Sequence, residues 1–435
     1  MTARRHAAAL MILLLAGCAS KMDYKVLDAQ MASGNCQDAG AYMESMQQGY
    51  GANQQLVYHM DMGMLKLYCG DYAGSAEQFQ EADDIARDLW TKSVSKEGVS
   101  FLTNDYTIPY SGEDYEKVMI NLFHSISSAA EGDFESALVE ARQLNQLLME
   151  INEAYERKSV YREDAFARYM SAMMYEAENP RDVQNLDSAT IDYEKGSEVY
   201  GTYEDEYGTP VPAAFIEDFY RVAEAAGRLE DRKSKKKDVQ WLSHKKARDM
   251  GRVVMLHLSG RVPAKEEEAV TAIAPHGPIK VAFPKFGPPH PGCTDSSVVV
   301  SSPEGAKYTA GSELVEDIGA IAVKNLADRR GRVVAKTIAR AIAKQAAIEA
   351  AASQADNKQQ EMLTRFVGRV VAAVTEVADT RSWRTLPDKI YMARTFVPEG
   401  RYSIKAEFCG NIREMAEEME IKAGQTTFVL LQNVY

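Results

Sequence analysis

Apolar residues are distributed in three different ways along the chain. A short unbroken run, Ala7 to Ala16, follows Arg4 and Arg5 and ends in Leu15-Ala16-Gly17-Cys18. Residues 22 to about 228 read as helices. After Gly260 the grammar changes, and Pro and Gly become frequent from Pro263 to Pro303. Ile279 to Phe283, Ser297 to Val300, Lys389 to Arg394, Gly400 to Phe408 and Thr426 to Val434 read as strands. Between the strand groups, about Ser312 to Thr380, lie two Ala/Val-rich helices broken at Ser353 to Gln360. In the first, Val334, Ile338, Ala341, Gln345 and Ile348 form one face, and Arg332, Lys336, Arg340 and Lys344 form a basic stripe. A hairpin packed on the sheet is one reading of this segment; a self-association or membrane-surface helix is the other. The predicted fold is α+β and mainly α. A helical domain over 22–228 is followed by a charged linker or helix over 229–260. A small β-sandwich-like module then spans 261–435, with a helical insertion at 312–380.

Three turns in the helical half share a signature. They are Gly34-Asn35-Cys36, Gly70-Asp71-Tyr72 and Gly132-Asp133-Phe134, each with small residues downstream. Gly permits the tight helix-to-helix turn, and small residues let the helices approach. Gly63, Ser75, Phe79, Ala82, Ala137 and Ala141 fall at positions that resemble a tetratricopeptide repeat. The turns are unevenly spaced, so Lys92 to Glu113 reads as an insertion.

The first apolar run fits a secretory signal: a basic start, about ten apolar residues and small residues at the cut. It is too short to span a bilayer as a mature helix. Leu15-Ala16-Gly17-Cys18 resembles the bacterial lipobox. That resemblance implies a signal peptide over 1–17, acylation of Cys18 and a lipid-anchored start at 18–21. Ala19 and Ser20 follow the cysteine rather than Asp, which by the same resemblance implies the periplasmic face of the outer membrane. After Cys18 no stretch is long and apolar enough to cross a membrane.

Charge and cysteines narrow the picture further. The net charge of −13 argues against nucleic acid as a partner. Apart from Cys18, the chain holds Cys36, Cys69, Cys293 and Cys409, which allow three connectivities. Grouping along the sequence favours Cys36–Cys69 and Cys293–Cys409, with free buried thiols as the alternative. In the first pair, Cys36 would begin one helix and Cys69 end the next, which antiparallel packing brings together. The insertion carries Tyr106, Tyr110 and Glu113, whose types suit a partner surface, although loop packing and helix capping explain most of it. Asp379, Arg381 and Trp383 are a second candidate anchor, with a structural role as the alternative: Trp383 buried and Asp379 paired with an arginine.

No phosphate loop, nucleophile elbow, dinucleotide fingerprint or H-E-x-x-H motif is present, so neither a cofactor nor a metal is expected. His276, His290 and Asp295 are the weak catalytic alternative. Tyr110 to Lys117, Asp133 to Arg142 and Ala378 to Pro387, with the lipobox, resemble a family of Gram-negative lipoproteins with tetratricopeptide-like helices. The resemblance brings no particular activity with it. The expectation is a non-enzymatic, membrane-tethered adaptor for another envelope protein. The alternatives are a homo-oligomeric part of an export or surface-assembly machine, or an envelope enzyme.

Overall fold

A computed structural model describes residues 22–95, 105–154, 161–178, 182–229, 239–275 and 277–434. The signal segment and Cys18 lie outside these residues, as does His276. The chain is a mixed α and β protein, mainly helical.

The N-terminal half begins with α1 (Tyr24–Ala32), α2 (Cys36–Ser45) and the single turn α3 (Gln47–Tyr50). Antiparallel hairpins follow: α4 (Gln55–Tyr68) with α5 (Tyr72–Ser95), α6 (Asp114–Glu131) with α7 (Phe134–Ala154), and α8 (Ala165–Glu178) with α9 (Val183–Tyr207). The helix α10 (Ala213–Ala225) closes the array.

The Gly-Asp turns work as local physics requires. Gly70 and Gly132 have positive φ, 79° and 89°, and end α4 and α6. The next aspartate caps the following helix: Asp71 accepts from the Gly74 amide and Asp133 from the Ser136 amide. At Gly63 a Cβ would lie 2.6 Å from the Phe79 ring, so only glycine lets α5 seat that ring against α4. There Ser75 donates to the Gly63 carbonyl at 2.8 Å. In the second hairpin Ser125 donates to the Ala137 carbonyl at 2.7 Å. Both pairs span twelve residues across the same kind of turn.

A short helix, α11 (His244–Ala247), leads into β1 (Gly251–Ser259). The next strands are β2 (Lys265–Ala274), β3 (Gly277–Phe286), β4 (Ser296–Ser301), β5 (Lys307–Gly311) and β6 (Glu313–Asp317). The long helix α12 (Ile318–Ser353) and α13 (Lys358–Thr375) come next, then β7 (Lys389–Val397), β8 (Gly400–Phe408), β9 (Asn411–Ile421) and β10 (Thr426–Asn433). One sheet has the order β10-β1-β7-β6, the other β5-β4-β8-β9, and β2–β3 is a separate ribbon. Val253, Met255, Ala393 and Val429 of the first sheet share a core with Val298, Val300, Ile404 and Ala406 of the second. The ribbon packs on α12 through Val281, Phe283, Val334, Ile338 and Ala341.

Two boundaries, and the separation of the cores, differ from expectation. The linker expected over 229–260 holds β1, every residue of which is buried. A strand covered on both faces reads as an apolar run without alternation, so its neighbours in sequence disguise it. The insertion begins at Ile318 rather than 312, because β6 pairs with β7. The two halves also do not keep separate cores. Val254, Leu256, Met392 and Phe428, on the other face of the first sheet, join the core of the helical half with Phe79, Phe123 and Trp383.

Candidate functional site

The six residues chosen as partner-binding candidates converge at one place, the seam between the halves. Arg381 forms a bidentate pair with Asp379, at 2.9 and 2.7 Å. It also donates to the carbonyls of Asn53 and Ile108, at 3.2 and 3.0 Å, and lies over the rings of Tyr106 and Tyr110. The Tyr106 hydroxyl meets Thr380 Oγ1 at 2.6 Å. Trp383 is 1% exposed and packs against Phe79 and Phe123. Glu113 pairs with Lys265, itself 1% exposed at the side chain, and with Arg329.

These groups are therefore not a free partner surface. Their aromatic and paired-charge chemistry is used inside the chain. Burial alone would raise the Glu113 carboxyl, but Lys265 and Arg329 outweigh it and hold the carboxyl at about 2. Glu116, one turn on, accepts from the Tyr110 hydroxyl at 2.6 Å and from the amides of Glu113 and Trp383, at 2.9 and 2.7 Å. Burial nevertheless raises its carboxyl above the ordinary range.

Further along the seam, Asp61 accepts from Tyr24, Tyr50 and Thr385 hydroxyls at 2.5, 2.9 and 2.8 Å. Burial pushes its carboxyl up to about 6 against those three donors.

A second buried network lies elsewhere on the seam, and sequence reading missed it. Arg221 joins Glu176 and Asp218; Arg252 reaches Glu176 at 3.3 Å, and Arg394 reaches Asp218 at 2.9 Å. Tyr169 and Tyr193 donate to the two carboxylates, at 2.7 and 2.8 Å. Despite burial, Arg394, Arg221 and Arg252 hold Asp218 far below the usual carboxylate range. A third cluster, also missed, gathers Asp164, Glu316 and Tyr161. Burial raises both carboxyls, that of Glu316 well above its ordinary value.

The cysteines pair as Cys36–Cys69 and Cys293–Cys409, with Cα separations of 5.8 and 5.9 Å. His290 is exposed and bridges to Arg261, and Asp295 is exposed beside Cys293. Among the described residues no group of three or more His, Cys, Asp or Glu is arranged to hold a metal. A crevice of about 60 Å³ lies between Pro278, Ile279, Lys344, Arg369 and Ala373. That is room for water, well below the several hundred Å³ of a small-molecule site.

The surface offers relief of another kind. Met362, Leu363, Phe366, Val367, Val370, Val371 and Val374 of α13 are all exposed, and no residue of that helix is buried. No known family model and no curated protein matches the chain.

Proposed function

We propose that the protein is a lipid-anchored envelope scaffold, tethered through Cys18 at the periplasmic face of the outer membrane. It recruits another envelope protein and raises its local concentration, without catalysing a reaction. The observation that carries this reading is the repeated notch between paired helices, Gly63 with Ser75 and Ser125 with Ala137. Equivalent small-residue contacts in successive hairpins support a tetratricopeptide-like array, an architecture suited to recognising proteins. The two facing sheets support a β-sandwich-like module that braces it.

The partner surface in this reading is the outward one. The helix α6 is buried from Asp114 to Ala129, between its neighbours and the C-terminal half. Recognition then falls to α7 and α9, where Met149 and Val183 are exposed. Photo-crosslinking residues placed at 149 and 183 in intact cells should each capture the same envelope protein. Capture of no recurrent protein from either position would refute the scaffold reading. The rival reading is a machine subunit that oligomerises through 312–380, and it draws on the exposed side of α13. The mass of the native particle separates the two.

A further inference from the structure

The polar side of α13 lies against α12, and this leaves its apolar side facing outward. Arg365 and Arg369 donate to Glu349 of α12, at 2.8 and 3.1 Å. Between them Gly368 faces Ile348, where a Cβ would come within 2.8 Å. The close approach at Gly368 sets the rotation of the helix about its axis, and the two half-exposed ion pairs add little to it. Turning the apolar side inward would strip Glu349 of both arginines and bring side chains against Ile348. The exposed arc is thus part of the fold, and 7 side chains between Met362 and Val374 form it.

The pattern of that arc points to one kind of surface. Three adjacent pairs recur every four positions and Val374 follows them, so at 100° per residue they sweep about half the helix circumference. A single partner helix seats on a narrower stripe, repeating every 3.5 residues. The opposite side carries Thr364, Arg365, Gly368 and Thr375, with Glu361 the single acid of the helix. Lys358 and Arg369 fall along one border of the arc. Strong amphipathicity with little net hydropathy, Phe and Leu on one side and Lys and Arg at the edge, describes a helix lying in a bilayer interface. A second copy laid on this face would meet no acid along the border to pair Lys358, since Glu361 lies on the opposite side. Ile273 of the ribbon is also 95% exposed; it pairs with Pro278, which lines a crevice together with Ala373 of α13. At 18 residues, with charges along one side, α13 is not a membrane-spanning helix.

We propose that the apolar arc of α13 lies in the interfacial layer of an anionic phospholipid bilayer, as a membrane contact separate from Cys18. It holds the body of the protein against the membrane, and it stands independently of any protein partner. Lys358 at the border supplies attraction to the headgroups, Arg369 beside it being engaged by Glu349, and Phe366, Val367 and Val370 supply the buried apolar area.

The test uses the full-length chain carrying Cys18→Ala, so that no acyl chain docks it. Phe366→Trp is added, and its emission is taken as the difference from the Cys18→Ala chain. With vesicles containing phosphatidylglycerol the added emission should shift to the blue and be quenched by brominated acyl chains. With neutral phosphatidylcholine vesicles the shift should be smaller. The pair Val367→Glu and Val370→Glu, at positions 49% and 48% exposed, should leave circular dichroism unchanged. It should lower partitioning into the anionic vesicles roughly tenfold or more relative to the same chain without it. Emission from position 366 that ignores vesicles would overturn the proposal. So would a blue shift that appears without lipid as protein concentration rises, because a second copy would then cover the arc.

Discussion

Glu316 shows how much a single side chain can bias this fold. It lies fully buried on β6, and burial, with Asp164 and Asp317 nearby, raises its carboxyl well above the ordinary 4.5. A carboxyl whose folded pKa exceeds its unfolded one gives the folded state the extra proton. Its cost to stability is absent below about pH 4.5 and grows as pH rises toward the folded value. Glu316→Gln should therefore leave the urea midpoint at pH 4.5 nearly unchanged. Above pH 4.5 it should raise stability by about 1.4 kcal/mol per pH unit until the folded value is reached, the cost of the proton that the native carboxyl must take up. An effect that does not change with pH would refute this. Asp61 and Asp388, both pushed up to about 6, act in the same direction; Glu113, held at about 2, acts oppositely and only in acid.

At the scale of elements, the clamp between the start of α6 and β2 joins the halves. Glu113 is the residue before α6, and Lys265 opens β2. Removing one charge leaves the other buried, which costs about 3–5 kcal/mol, whereas replacing both can be nearly neutral. Glu113→Gln should thus destabilise by that amount. Adding Lys265→Met should recover most of the loss, since Arg329 is more exposed and can turn to water. Urea titration of the four members of the cycle measures the coupling, and additive losses would show that the pair carries none. Some of this level is readable from sequence. The Gly70-Asp71 and Gly132-Asp133 turns, and the Asp379–Arg381 pair, are formed by residues close in the chain. The Arg252–Glu176 and Arg394–Asp218 pairs link residues 76 and 176 positions apart, so no local pattern announces them.

The whole molecule follows from a core that crosses the expected domain boundary. The first sheet presents Val253 and Met255 to the second sheet, and Val254 and Leu256 to the helices. Separating the halves would expose that second face and strand Lys265, Arg252 and Arg394 without their carboxylates. The protein should unfold in one transition, with far-ultraviolet and near-ultraviolet circular dichroism superimposed across the urea range. Residues 22–228 and 239–435 made separately should each lack a sharp transition. Two resolved transitions in the intact chain would contradict a shared core.

By itself the sequence determined what depends on neighbours along the chain: helices to about 228, the tight turns, several strands, and the two helices between the strand groups. Helical periodicity and turn chemistry act over a few residues, so they are written locally. The tertiary structure alone decided the uses of those pieces. It buried Tyr110, Arg381 and Trp383 in an internal seam, where type and spacing had suggested an outward anchor. It made β1 the centre of a sheet, covered on both faces, although it follows a highly charged stretch. And it turned the apolar side of α13 to the outside, because Glu349 and Ile348, which meet its other side, belong to a different element.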